Sequence, residues 1–236
     1  MGRAKEIIVK VIPSNIAVPF VKQHHYSGTV SNTSALHFGC FLDDKLHGVM
    51  SYGSPMDKSK VLPLVQPSLW NEMLELNRMA FDDYLPKYSE SRCIAISIKL
   101  IKKNAPHIKW ILSYSDGCSC GDGAIYRASG FILTQIKVNQ IIRVIDGKLV
   151  AKNYANKKYY DKSKGINKFN GSKIKEGFQL RYIYLIDKTC KITVPILPFS
   201  KIDQMGAGMY KGEKISLAER KALSDGVVTN PASNLE

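Results

Sequence analysis

Hydrophobic and polar positions along the chain form short runs typical of strands, separated by amphipathic runs typical of helices. Apolar or alternating runs predict strands at residues 6–12, 35–42, 46–52, Met73–Phe81, 108–114, 131–138 and 178–186. Apolar positions at helical spacing predict helices at residues 16–26, Ser89–Asn104 and 122–129, with Ser89 as the cap of the second. A hairpin first and strand–helix–strand units later predict an α/β fold with one central mixed sheet and helices on both faces.

The domain organisation follows from where this patterning weakens. The 236 residues suit one domain with extensions. We expect a catalytic domain over residues 1–190, with a basic insertion at 148–176 before the last strand. Residues 191–236 are expected to form a C-terminal extension that ends in a tail.

The chain carries a strong excess of positive charge, +14 at neutral pH. Nine lysines and one acidic residue lie between Lys148 and Lys175, with aromatic residues among them. Lysines contact phosphates and aromatic rings stack on bases, so the insertion predicts binding to a polyanion such as DNA. The expected contact residues are Lys152, Lys157, Lys158, Tyr159, Lys162, Lys164 and Lys168. The alternative is a solvated basic loop. A membrane surface fits less well because the segment has no amphipathic apolar stripe.

Cysteine usage and hydropathy favour an intracellular protein. The five cysteines are odd in number and scattered, so we expect reduced thiols rather than a disulfide framework. No apolar run approaches the roughly 20 residues that span a bilayer, and the first residues do not form a secretory signal. The expected location is the cytoplasm.

Several long strings resemble one family. These are HHYSGT (24–29), LELNRMAFDD (74–83), SESR (89–92), PHIKW (106–110) and YSDGCSCGDGAIYRASGF (114–131). They resemble the Mom family of phage DNA modification proteins, and the order of elements over residues 5–187 resembles the GNAT-type acyltransferase fold. The resemblance implies conversion of adenine in DNA to N6-carbamoylmethyladenine in the host cell cytoplasm, which protects phage DNA from restriction.

The resemblance also places catalytic residues in this sequence, at His25, Tyr26, Asp116 and Tyr126. Tyr126, on the short third helix, would act as a general acid, since a phenol is protonated at neutral pH. The alternative for Tyr126 is a core tyrosine. Asp116 follows the central strand and would act as a base or metal ligand, with a turn-forming aspartate as the alternative. His25 with Asp116 is the pair expected to hold a metal ion, with iron favoured over zinc or manganese.

The donor site is expected around Arg78, Ser89, Ser91 and Arg92. Guanidinium groups and the N-terminus of a helix would bind an anionic part of the donor there. The alternatives are a structural ion pair between Arg78 and Glu75, and a plain helix cap at Ser89. Residues 86–92 contain no glycine, unlike the Q/R-x-x-G-x-G/A run of GNAT enzymes, which leaves coenzyme A binding open. The candidate donors are acetyl-CoA and a glycyl donor such as aminoacyl-tRNA. A glycyl unit is isomeric with carbamoylmethyl and would need a rearrangement.

Three functions therefore stay open. The leading one is a Mom-like transferase that acts on adenine in double-stranded DNA, with tRNA as a further expected partner and a homodimer as one expected assembly. The second is a GNAT N-acetyltransferase that uses acetyl-CoA on a protein or small-molecule amine. The third is a DNA-binding protein without catalytic activity.

Overall fold

A mixed seven-stranded sheet forms the centre of the protein. The structure, a computed structural model, describes residues 3–151, 159–161, 166–167 and 169–224. The strands of this sheet are β1 (Ile8–Ile12), β2 (Ser34–Leu42), β3 (Lys45–Gly53), β4 (Met73–Phe81), β5 (Trp110–Gly117), β6 (Ile132–Val138) and β7 (Phe178–Leu185). Their order is β1-β2-β3-β4-β5-β7-β6. The pair β4 and β5 is parallel, and the other neighbours are antiparallel. The predicted mixed α/β fold is confirmed.

Helices cover both faces of the sheet, as the sequence predicts. The described helices are α1 (Ser14–His24), α2 (Lys58–Val61), α3 (Ser89–Asn104), α4 (Ala124–Ala128), α5 (Ser200–Gln204) and α6 (Leu217–Ser224). Helix α3 buries Ile94, Ile98 and Ile101 in the main hydrophobic core. Helix α1 packs Ala17 and Val21 in a second cluster. No helix among the described residues is long and apolar enough to cross a bilayer.

Helix α3 has the predicted bounds, but its predicted cap is wrong. Tyr88 occupies the N-cap position with φ +70°, and its side chain makes no capping hydrogen bond. Ser89 is the first helical residue, and its buried hydroxyl donates to the carbonyl of Pro86 at 2.5 Å. The loop therefore turns into the helix through a left-handed tyrosine, a conformation that costs free energy for a residue with a Cβ.

Strands β4 and β5 separate halfway along their length. Their parallel pairing runs from Met73 opposite Trp110 to Leu76 opposite Ser113. Beyond that level β4 pairs with β3, and β5 pairs with β7. The Ser113 hydroxyl donates to the Leu76 carbonyl at 3.0 Å, at the last paired level. A wedge-shaped gap opens between the two strands from this point.

The basic insertion contains a small sheet of its own. Its strands are Ile142–Ile145, Lys148–Ala151 and Lys173–Ile174, so the inserted structure begins before residue 148. Phe169 is buried against Ile145 and Val150, with Tyr159 packed beside them. Phe169 is therefore a core residue and not a base-stacking surface. The predicted contacts Lys152, Lys157, Lys158, Lys162, Lys164 and Lys168 lie outside the described residues.

The described part of the C-terminal extension packs on the same domain. Lys191 and Ile192 pair with Gln66 and Val65 in a two-stranded sheet. Ile202 and Ala207 are buried in the main core. The division at residue 190 stays a prediction, and the tail from 225 onward lies outside the described residues.

Gly53 is expected to tolerate no side chain. A Cβ there would lie 1.8 Å from the backbone oxygen of Thr33, in the segment that leads from α1 into β2. We expect Gly53→Ala to lower the free energy of unfolding by about 1–3 kcal/mol, the usual cost of overpacking. Urea unfolding measures it. Gly171→Ala is the control, because nothing lies within 4 Å of its Cβ position. Equal stability of the two variants would contradict this account.

Candidate active site

Four segments place polar and aromatic side chains around the gap between β4 and β5. Strands β4 and β5 form its sides, α4 contributes Tyr126, and the end of α1 with the loop after it contributes His25 and Tyr26. The side chains that act on one another electrostatically here are His25, Tyr26, Glu75, Arg78, Asp116, Cys120 and Tyr126. The structure therefore brings all four predicted catalytic residues into one neighbourhood, together with Arg78.

Tyr126 stands at the back of the gap. Its side chain is buried and packs against the rings of Phe131 and Tyr182, with centroid distances of 5.5 and 5.4 Å. Burial raises the pKa of Tyr126 to about 12. A hydrogen bond with the Ser113 hydroxyl lowers this pKa in part, and Ser113 is the residue at the last paired level of β4 and β5. The phenol is thus a core residue that carries its proton at neutral pH and can donate it into the gap.

Asp116 combines a turn-forming role with an interaction with Tyr26. Its Oδ1 accepts from the Cys118 backbone N–H at 2.9 Å and from Gln179 Nε2 at 3.0 Å. Its backbone carbonyl accepts from the N–H of Cys120 at 3.0 Å. Its Oδ2 is buried and has no hydrogen-bond partner among the described residues. One carboxylate oxygen is therefore fixed by the loop, and the carboxylate also interacts with the Tyr26 hydroxyl.

Tyr26 lies at the open side of the gap. Its side chain is 55% exposed to solvent, yet desolvation followed by the negative charge of Asp116 raises its pKa above the usual range. A side chain that is accessible and still surrounded by protein lines a concave surface. The Tyr26 ring also packs against the His25 ring, with centroids 4.4 Å apart and a tilt of 31° between the planes. These observations make Tyr26 part of the wall that a ligand would contact.

His25 is neutral at physiological pH. Burial, and then the positive charge of Arg78, lower its pKa to about 4. Its Nδ1 accepts from the Ser27 backbone N–H at 3.2 Å, so the neutral ring carries its proton on Nε2. Within the described part of the chain, no three His, Cys, Asp or Glu side chains are grouped to hold a metal ion. The His25–Asp116 metal site stays a prediction.

Arg78 joins β4 to the loop that follows α1. Its Nε donates to the Thr29 carbonyl at 2.9 Å, and its Nη1 donates to the Asn77 carbonyl at 2.5 Å. A bulge in the pairing with β3 makes Asn77 an extra residue, because Ser51 pairs with Arg78 while Tyr52 pairs with Leu76. The bulge turns Arg78 to the same side as Glu75, three residues earlier. The guanidinium therefore contributes its charge to the gap while it fixes the loop.

The other predicted donor contacts have protein partners. The Ser91 hydroxyl donates to the Tyr88 carbonyl at 3.1 Å, and Arg92 Nη2 donates to the Lys5 carbonyl at 3.1 Å. The Ser89 hydroxyl is occupied by Pro86. Their roles toward a donor stay predictions. The groups of this loop that suit an anion are the first backbone N–H groups of α3.

Sequence reasoning missed the importance of Glu75. This residue was considered a partner for Arg78, but its charge also acts on Tyr126 and Tyr114, one level before the gap opens. Burial raises its pKa to about 7, and Arg78 lowers it in part. The available signal was an acidic residue within an otherwise apolar strand run, Met73–Phe81.

Glu75 should make stability depend on pH. The folded state binds its proton more tightly than an ordinary carboxyl with a pKa of 4.5, so stability is lost as pH rises from about 4.5 to 7. Relative to Glu75→Gln, the wild type should lose roughly 1–3 kcal/mol of unfolding free energy between these values. Urea unfolding of both proteins at pH 4.5 and pH 8 measures the difference. A constant difference would contradict the raised pKa.

Asp122 anchors the helix that carries Tyr126. It is buried, and its carboxylate pairs with Arg127 at 2.9 Å and with Arg220 at 2.6 Å. It also accepts from the Met209 backbone N–H at 3.0 Å. Gly123, and not Asp122, occupies the N-cap position of α4, and Arg127 is largely buried.

Comparison with known proteins identifies the family. A model described as the Mom protein family matches residues 6–201. The chain belongs to the Mom protein family. A curated relative, the methylcarbamoylase mom of Escherichia phage Mu, is 33% identical over 128 residues. That match spans 54% of this chain and 53% of the relative, about half the length of each.

Solved structures with a similar arrangement include acetyltransferases. An IAA acetyltransferase from Bacillus cereus is 10% identical, with a TM-score of 0.44, over 76% of this chain and 99% of that chain. A GNAT family acetyltransferase from Elizabethkingia anophelis, with acetyl-CoA bound, is 12% identical, with a TM-score of 0.43, over 76% of this chain and 98% of that chain.

The matched family region includes the whole gap in this Mom family protein. Residues 6–201 contain His25, Tyr26, Glu75, Asp116 and Tyr126, whereas Arg220, which fastens α4 through Asp122, lies beyond them. The predicted family membership is confirmed.

Proposed function

We propose that this protein is a transferase that modifies DNA by converting adenine N6 to N6-carbamoylmethyladenine. Family membership and the methylcarbamoylase of phage Mu support this proposal. The observation that carries it is the arrangement of the gap, where a protonated phenol, Tyr126, lies near the carboxyl of Glu75, and the carboxylate of Asp116 lies near Tyr26. That set of groups suits a transfer in which one proton is taken up and another is donated.

The chemistry of adenine gives each group a role. The N6 amino group is a poor nucleophile because its lone pair is delocalised into the ring, and it must lose a proton when it forms the new bond to carbon. Glu75, with a pKa near 7, is suited to accept that proton at neutral pH. Tyr126 is suited to protonate the departing group of the donor. The first-turn N–H groups of α3 would bind an anionic part of that donor. A glycyl donor supplies the atoms C2H3NO, and its first product, an amide on N6, would need a rearrangement to become the carbamoylmethyl isomer. Acetyl-CoA supplies no nitrogen and belongs to the acetyltransferase alternative.

The open side of the gap suits an extruded base. Adenine is stacked and paired in duplex DNA, so an enzyme must extrude it and replace the lost stacking with aromatic side chains. Tyr26 is 55% exposed and Tyr114 is 42% exposed at this side. Strand β7 pairs with both β5 and β6, so the basic insertion between β6 and β7 starts and ends beside the same sheet. Its lysines would hold the DNA backbone.

Mass spectrometry of nucleosides tests the proposal. Plasmid DNA from cells that express the protein is digested and compared with DNA from cells that carry Asp116→Asn. We expect a deoxyadenosine heavier by C2H3NO with the wild type and its loss with Asp116→Asn. Asp187→Asn, on an exposed turn, is the matched control and should retain the product. Unmodified DNA from soluble wild-type protein would refute the proposal and favour the acetyltransferase alternative.

A further inference from the structure

The segment between β3 and β4 presents large apolar side chains to solvent. Leu69 and Trp70 are adjacent, and each is 62% exposed. Met56, earlier in the same segment, is 68% exposed. Single exposed apolar residues are common on proteins, but an adjacent leucine and tryptophan in a turn form a small exposed apolar patch.

The turn that carries Leu69 and Trp70 is fastened on both sides. The Leu69 N–H donates to Glu72 Oε2 at 2.8 Å, and the Glu72 N–H donates to the Leu69 carbonyl at 3.0 Å. Glu72 also pairs with Lys109 at 2.8 Å. On the other side, Trp110 Nε1 donates to the Ser68 hydroxyl at 2.8 Å. The backbone of this turn is thus fixed by contacts with the core. The loss of conformational entropy on binding a partner is therefore small.

The surroundings of Trp70 favour a polyanion. Lys58 Nζ lies 4.6 Å from the centre of the Trp70 ring. Next to the turn is a shallow groove lined by Gln66, Pro67, Ser68, Thr189, Lys191 and Thr193. Hydroxyl, amide and ammonium groups of this kind contact the phosphodiester backbone, and the whole chain carries a charge of +14. A protein partner fits less well, since two protruding side chains are far from the roughly 1,000 Å² of a stable interface.

The turn also lies near the gap. Val61, three residues after Lys58, lies in one buried cluster with Leu112, which is two residues before Tyr114 on β5. The segment that places Lys58 over the Trp70 ring therefore packs against the strand that carries Tyr114. Burial, and then negative charges that include Asp57, raise the pKa of Tyr114.

We propose that Leu69 and Trp70 form a wedge that enters the base stack of duplex DNA beside the adenine to be modified. This inference rests on the proposed function. Extrusion breaks stacking and pairing, which costs a few kilocalories per mole unless a side chain fills the vacated space. The Trp70 ring supplies that surface, the groove beside Lys191 holds the backbone, and the gap receives the base.

Fluorescence of 2-aminopurine tests the wedge with no group donor present. The purified full-length protein is added at saturation to a duplex in which 2-aminopurine replaces one adenine, and extrusion raises its fluorescence. We expect Trp70→Ala to lower the extrusion constant about tenfold, the size of one lost aromatic–base stack. Trp70→Phe should keep most of the response. A duplex with an abasic site opposite the 2-aminopurine should restore the response of Trp70→Ala.

Controls separate the wedge from folding and from DNA binding. Val11 on β1 is also 62% exposed, so Val11→Ala should behave as the wild type. A full fluorescence response from Trp70→Ala would overturn the wedge and leave the proposed function intact. Loss of DNA binding by the wild type, measured by fluorescence anisotropy, would overturn both. A dimer of the wild type that Trp70→Ala dissociates in analytical ultracentrifugation would assign the surface to a second copy and also overturn the wedge.

Discussion

Replacing Tyr126 by phenylalanine should reduce the fraction of modified deoxyadenosine by about 100-fold or more, the usual loss when a general acid is removed. The ring would keep its packing against Phe131 and Tyr182, so the fold should persist. The lost hydroxyl is the group that carries its proton at neutral pH in the gap. Nucleoside mass spectrometry of DNA from expressing cells measures the change.

A matched substitution shows whether this loss is specific. Tyr184 lies on β7 opposite Ile111, at the end of the strands where β4 and β5 are still paired. Tyr184→Phe removes the same atom and should leave the modified fraction unchanged. Full activity of Tyr126→Phe would remove Tyr126 from the chemistry and leave proton donation to another group.

Replacing Asp122 by alanine should lower the free energy of unfolding by about 3–5 kcal/mol, because it leaves the buried guanidinium of Arg127 without its carboxylate and removes the shorter of the two ion pairs of Arg220. The Asp122 side chain is fully buried, Arg127 is 15% exposed, and Arg220 is 22% exposed. The same change would release α4 from the C-terminal extension, so DNA modification should fall as well. Urea unfolding and nucleoside mass spectrometry measure the two effects.

A nearby substitution distinguishes the ion pairs from the carboxylate itself. Arg220 also pairs with Asp203 at 3.2 Å. Asp203→Ala leaves Arg220 its contact with Asp122, so the loss should be smaller, about 1 kcal/mol. Equal losses for the two variants would show that Asp122 has no special role in fastening α4.

The local sequence was sufficient to predict the elements of the fold. The apolar runs placed the strands of the central sheet to within a few residues, and the bounds Met73–Phe81 and Ser89–Asn104 agree with the structure. The strings shared with the Mom family located Tyr126, Asp116, His25 and Tyr26, which the structure brings together. Such features are local, because burial periodicity and short motifs act over a few residues.

Other parts of the site depend on contacts between distant residues. The bulge at Asn77 places Arg78 beside Glu75, and its cause is the pairing with β3, which no local pattern in the strand reveals. Asp122 and Arg220 are 98 positions apart, so their ion pair could not be inferred from spacing. Phe169 lies among the lysines of the insertion, and only its contacts with Ile145 and Val150 show that it closes a small core there.

The sequence by itself determined the fold class, the family, the positive charge and most of the residues around the gap. The tertiary structure decided which of those residues share one environment, and it added Glu75 and Asp122. The physical reason is that a pKa and an ion pair depend on burial and on neighbours from other elements. The raised pKa of Glu75 comes from its burial, and Glu75 lies on β4 opposite Leu112, so its burial depends on how distant elements pack around that pair.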